Sequence, residues 1–127
     1  MMPFSIGAHP AFSTQLHSND QFEDYDIIFD KQQQYHVWQL NNAMQLVDKN
    51  IPFKLALQQF ALDYQYFEID ALVFAHQQLN SICLKNRHHG HGVSVDFTGF
   101  PEVALWTADG KNKRSPFLCI EPWFGHA

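Results

Sequence analysis

The feature of this sequence that most constrains its fold is the alternation of apolar and polar residues in short runs. A period of two residues is typical of β-strands that bury one face. Turn-forming stretches such as "VDKNIP", "KNRHHGHG", "TGFP" and "ADGKNKRSP" separate the runs. The stretch "LQQFALDYQYF" has mixed periodicity and predicts a short helical turn or irregular structure. Strands are predicted at residues 25–29, 35–40, 53–57, 81–84, 93–97, 103–107 and 117–121.

Many short strands with turns between them predict an all-β fold, an antiparallel β-sandwich or a barrel-like sheet. The chain has 127 residues, of which 46% are hydrophobic. This length fits a single domain, residues 1–127, with a core of ordinary size.

Composition excludes several classes of partner and location. With 13 acidic and 8 basic residues the net charge is −5, so nucleic acid is not expected as a partner. No apolar run approaches the ~18 residues of a membrane span, and the N-terminal "MMPFSIGAHP" has no basic region before a long apolar stretch. A soluble cytoplasmic protein is expected. Cys83 and Cys119 form no CxxC motif, which predicts reduced, buried thiols without a metal or redox role.

A glutamate at the end of the predicted strand 117–121 is the first candidate for chemistry. Alternation places Glu121 on one face with Phe117 and Cys119, and the two residues between them on the other. Burial there would raise the pKa of the carboxyl group and make it a stronger base. Trp123 then offers a flat apolar surface of the kind that stacks on a sugar ring. The alternative is a glutamate on an edge strand that faces water.

A histidine near the N-terminus is the second candidate. In "PFSIGAHPAF", His9 follows a Gly-Ala pair and precedes a proline, with Phe12 nearby. Because an imidazole titrates near neutral pH, it can give a proton to an ether oxygen and take it back. A structural histidine satisfied by its neighbours is the alternative.

Asp70 lies in the apolar stretch "YFEIDALVF". An unpaired buried carboxylate is costly, so Asp70 needs hydrogen-bond partners or ligand hydroxyls. An aspartate that caps a turn is an equally good interpretation.

The cluster "RHHGHG" holds three histidines, His88, His89 and His91. Adjacent histidines in a glycine-rich turn point in different directions, and no partnering carboxylate is nearby in sequence. No physiological metal is therefore expected at these histidines, although weak binding of nickel or zinc in vitro is expected.

The motifs "PFSIGAHPAF", "DALVF", "VSVDFTGFPEVALWT" and "PFLCIEPWFG", in this order, resemble the C-terminal half of aldose 1-epimerase (galactose mutarotase) family proteins, in particular the bacterial mutarotase-related branch. The resemblance implies part of a large antiparallel β-sandwich that interconverts the α and β anomers of a free aldose without a cofactor. By position it implies that His9 is the general acid on the ring oxygen and Glu121 the base on the C1 hydroxyl. Asp70 would bind sugar hydroxyls, and Trp123 and Phe12 would contact the sugar.

Two functions follow from this resemblance because family members are longer than this chain. The first is an isomerase, and the second is a carbohydrate-binding or remnant domain that keeps site residues without turnover. Half of a sandwich exposes apolar surface and an unpaired edge. Self-association is therefore expected, most simply as a two-fold homodimer.

Overall fold

The computed structural model describes residues 6–7, 10–31, 37–40, 46–49, 58–67, 71–74, 78–110 and 113–124. Two short 3₁₀ helices, Phe22–Asp24 and Tyr64–Phe67, accompany the strands. The strands are β1 (Ile6–Gly7), β2 (Ala11–Ser13), β3 (Tyr25–Phe29), β4 (Val37–Leu40), β5 (Leu46–Lys49), β6 (Gln59–Ala61), β7 (Leu72–Phe74), β8 (Ser81–Asn86), β9 (Gly92–Asp96), β10 (Glu102–Trp106), β11 (Asp109–Gly110), β12 (Lys113–Arg114) and β13 (Phe117–Phe124).

The described strands form two main antiparallel sheets and one small ribbon. The large sheet has the order β1-β13-β10-β7-β4-β5, and β2 also pairs with β13. The small sheet has the order β6-β3-β8-β9, and β11 and β12 form the ribbon. This arrangement confirms the predicted all-β antiparallel fold. None of the helices within the described ranges has the length and apolar character needed to cross a membrane.

The two sheets pack face to face over one hydrophobic core. Alternate residues of β3 and β8 enter it from the small sheet, while β7, β10 and β13 contribute from the large sheet. The rings of Phe29 in β3 and Phe74 in β7 meet edge to face with centroids 5.4 Å apart. Because both rings are 1% exposed, this contact lies inside the sandwich and joins its two layers.

Strand β13 lies inside the large sheet, between β10 on one side and β1 and β2 on the other. A proline inside such a strand removes one hydrogen-bond donor. The N–H of Ile120 donates to the carbonyl of Pro10 at 3.2 Å, so the nitrogen of Pro122, two residues further on, faces the same side. Since β1 ends at Gly7 and β2 begins at Ala11, Pro122 lies opposite the interval between these strands and interrupts neither ladder.

The structure corrects parts of the predicted strand pattern. Strand 25–29 is confirmed, and the predicted strands 81–84, 93–97, 103–107 and 117–121 overlap observed strands with at least one end shifted. The predicted strand 35–40 overlaps β4 and ends with it at Leu40, and its first two residues lie outside the described ones. The predicted strand 53–57 lies outside the described residues. The apolar strand β7 is absent from the prediction. Strand β5 includes the first three residues of "VDKNIP", a stretch that the sequence predicts to be a turn. The stretch "LQQFALDYQYF" contains both β6 and the second 3₁₀ helix.

Candidate functional site

The face of the large sheet that points away from the core forms a second surface, which we call the site face. It is defined by alternate residues of β10 and β13 and by one residue of β7. Residues directly opposite each other in an antiparallel pair share a face, and the register pairs Ala104 with Glu121 and with Val73. The members of the site face are Val73, Glu102, Ala104, Trp106, Phe117, Cys119, Glu121 and Trp123.

Glu121 is buried at the centre of the site face, with 3% of its surface exposed. Its neighbours along the strand, Ile120 and Pro122, point to the other face, where Ile120 is part of the core. The residue directly opposite, Ala104, has only a methyl group and is itself buried. The interpretation of Glu121 as an edge-strand residue facing water is therefore wrong, because β13 is paired on both sides and the side chain is covered.

The pKa of the Cys119 thiol is affected by its position beside Glu121. Cys119 lies two residues before Glu121 on the same face and is 4% exposed. Burial raises the pKa of the Cys119 thiol, and the negative charge of Glu121 raises it further. Both expected features of this cysteine, its burial and its free thiol, are thus observed.

Three half-buried aromatic side chains surround the small and acidic residues of the site face. Trp106 and Trp123 pack against the cluster formed by Ala71, Val73 and Ala104. The ring of Phe117 lies 6.2 Å from that of Trp106. Because each ring is partly open to solvent, the site face offers flat apolar surface next to a buried carboxylate. Trp123 therefore lies on the same face as Glu121.

The structure places Phe12 elsewhere. Phe12 pairs with Leu118 and packs against the main core, so it lies on the opposite face of β13 from Glu121. There it lines a small cleft of about 90 Å³ together with Leu16 and with residues of the small sheet that include Tyr25. The structure does not bring Phe12 and Glu121 together.

His9 and Asp70 both lie outside the described residues. The described residues nearest to His9 in sequence are Gly7 and Pro10: Gly7 pairs with Trp123, and the carbonyl of Pro10 accepts a hydrogen bond from Ile120. Ala71, which follows Asp70, belongs to the small cluster against which Trp123 packs.

Sequence reasoning missed a second glutamate on the site face. Glu102 pairs with Trp123 and is 6% exposed, which places it diagonally across from Glu121. Diagonal neighbours of this kind have Cα atoms ~7–8 Å apart. Glu102 is the first residue of the run "EVALW". In sequence it resembles a polar residue at the end of a turn, so its burial was not predicted. The pattern "E-x-A-x-W" on alternate positions was the available signal.

A group of histidines lies on the small-sheet side of the molecule. The side chains of His17, His89 and His91, which we call the histidine cluster, offer one ring nitrogen each within 4.8 Å of one another. The sequence analysis considered the three histidines of the turn but not His17, which is 72 positions before His89 and reaches it only through the fold. The sequence also gave no sign of Asp20, to which Nε2 of His89 lies at 3.0 Å.

Asp20 holds this region together through hydrogen bonds. Its Oδ2 accepts from the hydroxyl of Tyr25 at 2.6 Å and from the backbone N–H of His17 at 2.9 Å. Partial burial disfavours the charged carboxylate, but the hydrogen bonds from Tyr25, His89 and the His17 backbone outweigh it and hold the pKa of Asp20 well below its usual range.

Comparison with known proteins gives relatives in sequence and in structure. Two proteins of Lactococcus lactis subsp. lactis, Protein LacX, chromosomal, and Protein LacX, plasmid, are each 35% identical over 127 residues, which is 98% of this chain and 41% of each relative. A galactose mutarotase related enzyme from Lactobacillus acidophilus aligns with a TM-score of 0.79 at 22% identity, over 96% of this chain and 40% of that one. A galactose mutarotase-like protein from Lactobacillus casei aligns with a TM-score of 0.79 at 24% identity, over 96% and 42%.

The chain therefore spans about two fifths of the length of the relatives it matches. No family model matches the chain. The fold that the resemblance implies is nevertheless confirmed, since both structural neighbours share it over 96% of this chain, and the sequence relatives extend over nearly the whole chain.

Proposed function

This chain has the galactose mutarotase-like fold, and we propose that it acts on a free aldose, whose α and β anomers it interconverts by acid–base opening and closing of the ring. The observation that carries the proposal is the position of Glu121. A buried carboxylate at the centre of a paired strand, with half-buried aromatic rings beside it, suits a base that works against a sugar.

The proposed reaction needs one proton removed and one delivered. The carboxylate of Glu121 takes the proton from the C1 hydroxyl, the bond between C1 and the ring oxygen breaks, and the imidazole of His9 gives a proton to that oxygen. The open-chain aldehyde rotates about the C1–C2 bond, and closure on the other face of the carbonyl reverses both transfers. No cofactor takes part in this scheme.

The nearest described residues before and after His9 support its role in the proposal. Gly7 and Pro10 both contact β13, at Trp123 and at Ile120, the positions on either side of Glu121 and Pro122. An acid and a base that act on one sugar ring need to be close together. These two contacts attach the segments before and after His9 to the strand that carries Glu121.

The aromatic rings of the site face supply the binding surface in this proposal. The C–H faces of a pyranose are apolar, so they pack on flat rings while the hydroxyls bond to polar groups. We assign this role to Trp123, which lies on the face of Glu121, and to Trp106. Asp70 remains the proposed partner of the sugar hydroxyls, and sugar contact by Phe12 would have to occur on the other face of β13.

Polarimetry of freshly dissolved α-glucose or α-galactose tests the proposal. The chain should accelerate the approach to equilibrium above the spontaneous rate, and Glu121→Gln should reduce that acceleration by ~10²–10⁴-fold, because an amide cannot accept the proton. His9→Asn should cost a comparable factor. Glu23→Gln is the matched control, since Glu23 is an exposed acid in the first 3₁₀ helix and its replacement should leave the rate unchanged.

Circular dichroism separates loss of the base from loss of the fold in these variants. If folded Glu121→Gln and His9→Asn proteins catalyse as fast as the natural chain, the assigned roles are wrong.

Sugar binding without turnover is the second candidate, because the chain spans about two fifths of its relatives and a full sugar cleft needs walls on several sides. It predicts no acceleration by the natural chain but a change in the fluorescence of Trp106 and Trp123 when sugar is added. A Trp106→Phe variant should lose part of that change.

A further inference from the structure

The histidine cluster has the donors of a metal site, although the sequence predicted no physiological metal at the histidines of this turn. Nε2 of His17 and Nδ1 of His91 are 3.0 Å apart. Two nitrogens on a tetrahedral zinc ion, at zinc–nitrogen distances of 2.0–2.1 Å, are ~3.3 Å apart. The observed separation is thus already close to the one that a shared metal ion would impose.

The third imidazole, that of His89, has the tautomer that ligation requires. Its Nε2 faces Oδ2 of Asp20 at 3.0 Å, and because a carboxylate only accepts, this nitrogen carries the proton. Nδ1 of a neutral imidazole then presents a lone pair, which here accepts the backbone N–H of His91 at 3.0 Å. A histidine that donates one nitrogen to a carboxylate and offers the other to a metal is the usual arrangement of metal-ligating histidines.

The backbone of the β8–β9 turn fixes the spacing between the two histidines of this segment. Gly90, between them, has a φ of +78°, a conformation that glycine adopts without strain. A Cβ at Gly92 would lie 2.0 Å from the carbonyl oxygen of Leu84, so only glycine fits there. The side chain of the buried Asn86 accepts hydrogen bonds from the N–H groups of His88 and His89, which holds the turn closed.

We propose that His17, His89 and His91 bind one late first-row divalent cation, with zinc as the representative ion, water as a fourth ligand and Asp20 as the carboxylate that orients His89. Imidazole ligands suit zinc, nickel and copper rather than magnesium or calcium. In this site the ion ties the segment before β3 to the turn between β8 and β9.

Ligation requires small changes in the metal-free arrangement. The rings of His17 and His89 are stacked with centroids 3.9 Å apart and an angle of 9°, so they must tilt for their lone pairs to converge. The proton shared by His17 and His91 moves to the outer nitrogen of one ring, and the N–H of His91 gives up its bond to His89. His17 and His91 are exposed, so their side chains have room for this adjustment.

Isothermal titration calorimetry of the untagged chain with zinc sulfate tests the proposal. We expect one ion per chain with a micromolar dissociation constant, and at least a ~10-fold weaker affinity in His17→Ala and in His91→Ala, because loss of one of three ligands leaves an incomplete site. His88→Ala is the matched control: His88 lies in the same turn but contacts Asp24 instead, with 65% of its side chain exposed, and its replacement should leave the affinity unchanged.

Thermal unfolding gives the second measurement. Since a ligand that binds only the folded state stabilises it, zinc should raise the Tm of the natural chain and of His88→Ala but not of His17→Ala, and magnesium should raise none of them. No zinc binding by the natural chain would overturn the proposal. Equal binding by the natural chain, His17→Ala and His91→Ala would also overturn it, because the ion would then sit at another group.

Discussion

Replacement of Ile120 by alanine tests whether this chain forms its own core. Ile120 is 0% exposed on the face of β13 opposite Glu121, among the residues that join the two sheets. The substitution removes three carbon atoms, which at ~0.8 kcal/mol for each buried methylene amounts to about 2.4 kcal/mol of lost transfer free energy. The cavity left between the sheets adds to this, so we expect Ile120→Ala to lower the free energy of unfolding by about 3–4 kcal/mol.

Urea denaturation followed by circular dichroism measures the change in the free energy of unfolding, and a thermal melt followed by the same signal measures the change in Tm. At roughly 3–6 °C per kcal/mol for a domain of this size, the Tm should fall by roughly 10–20 °C. Leu16→Ala is the control, because Leu16 is an apolar residue with 49% of its surface exposed and its truncation should change stability by less than ~0.5 kcal/mol. If the two variants lose equal stability, or if Ile120→Ala costs less than ~1 kcal/mol, the sheets do not pack against each other as described.

Two further predictions follow from the pKa shifts. Because the pKa of Asp20 is lowered in the folded chain, its carboxylate stabilises the fold above about pH 4, and this contribution is lost as the pH falls toward the folded pKa. Between pH 6 and pH 2.5 the urea midpoint of the natural chain should therefore fall more steeply than that of Asp20→Asn. Parallel curves for the two proteins would contradict this prediction. Burial and the charge of Glu121 raise the pKa of the Cys119 thiol, so iodoacetamide at pH 8 should alkylate the half-buried Cys83 first, and mass spectrometry that found Cys119 modified first would refute the burial of the site face.

The fold class was predictable from the sequence because strands with one buried face leave a period of two. Strand 25–29 was predicted with its observed ends, since its residues alternate between buried and half-buried. Strand β7 was missed because all three of its residues, Leu72 to Phe74, are buried. A strand covered on both faces has no alternation, and a short apolar run of this kind does not differ from buried helix or turn in sequence.

The candidate site was predictable only where it follows one strand. The alternation along β13 correctly placed Cys119 and Glu121 on one face and Ile120 on the other. Glu102 and His17 were not recognised because their roles depend on contacts made across strands, and a single sequence carries no direct sign of such contacts. The same limit applies to Phe12, whose proximity to the "GAHP" motif in sequence did not predict that its ring faces the core.

The register of β13 against β10 determines which insertions and deletions this chain can accept. The two faces of β13 serve different purposes, so a shift of one residue along β10 would exchange them. Ile120 would then stand among the aromatic rings, and the carboxylate of Glu121 would be forced between the two sheets, where an unpaired charge is strongly unfavourable. The packing of the core thereby selects the single alignment that also presents Glu121. Insertion or deletion of one residue within β13 should therefore abolish folding and the site together.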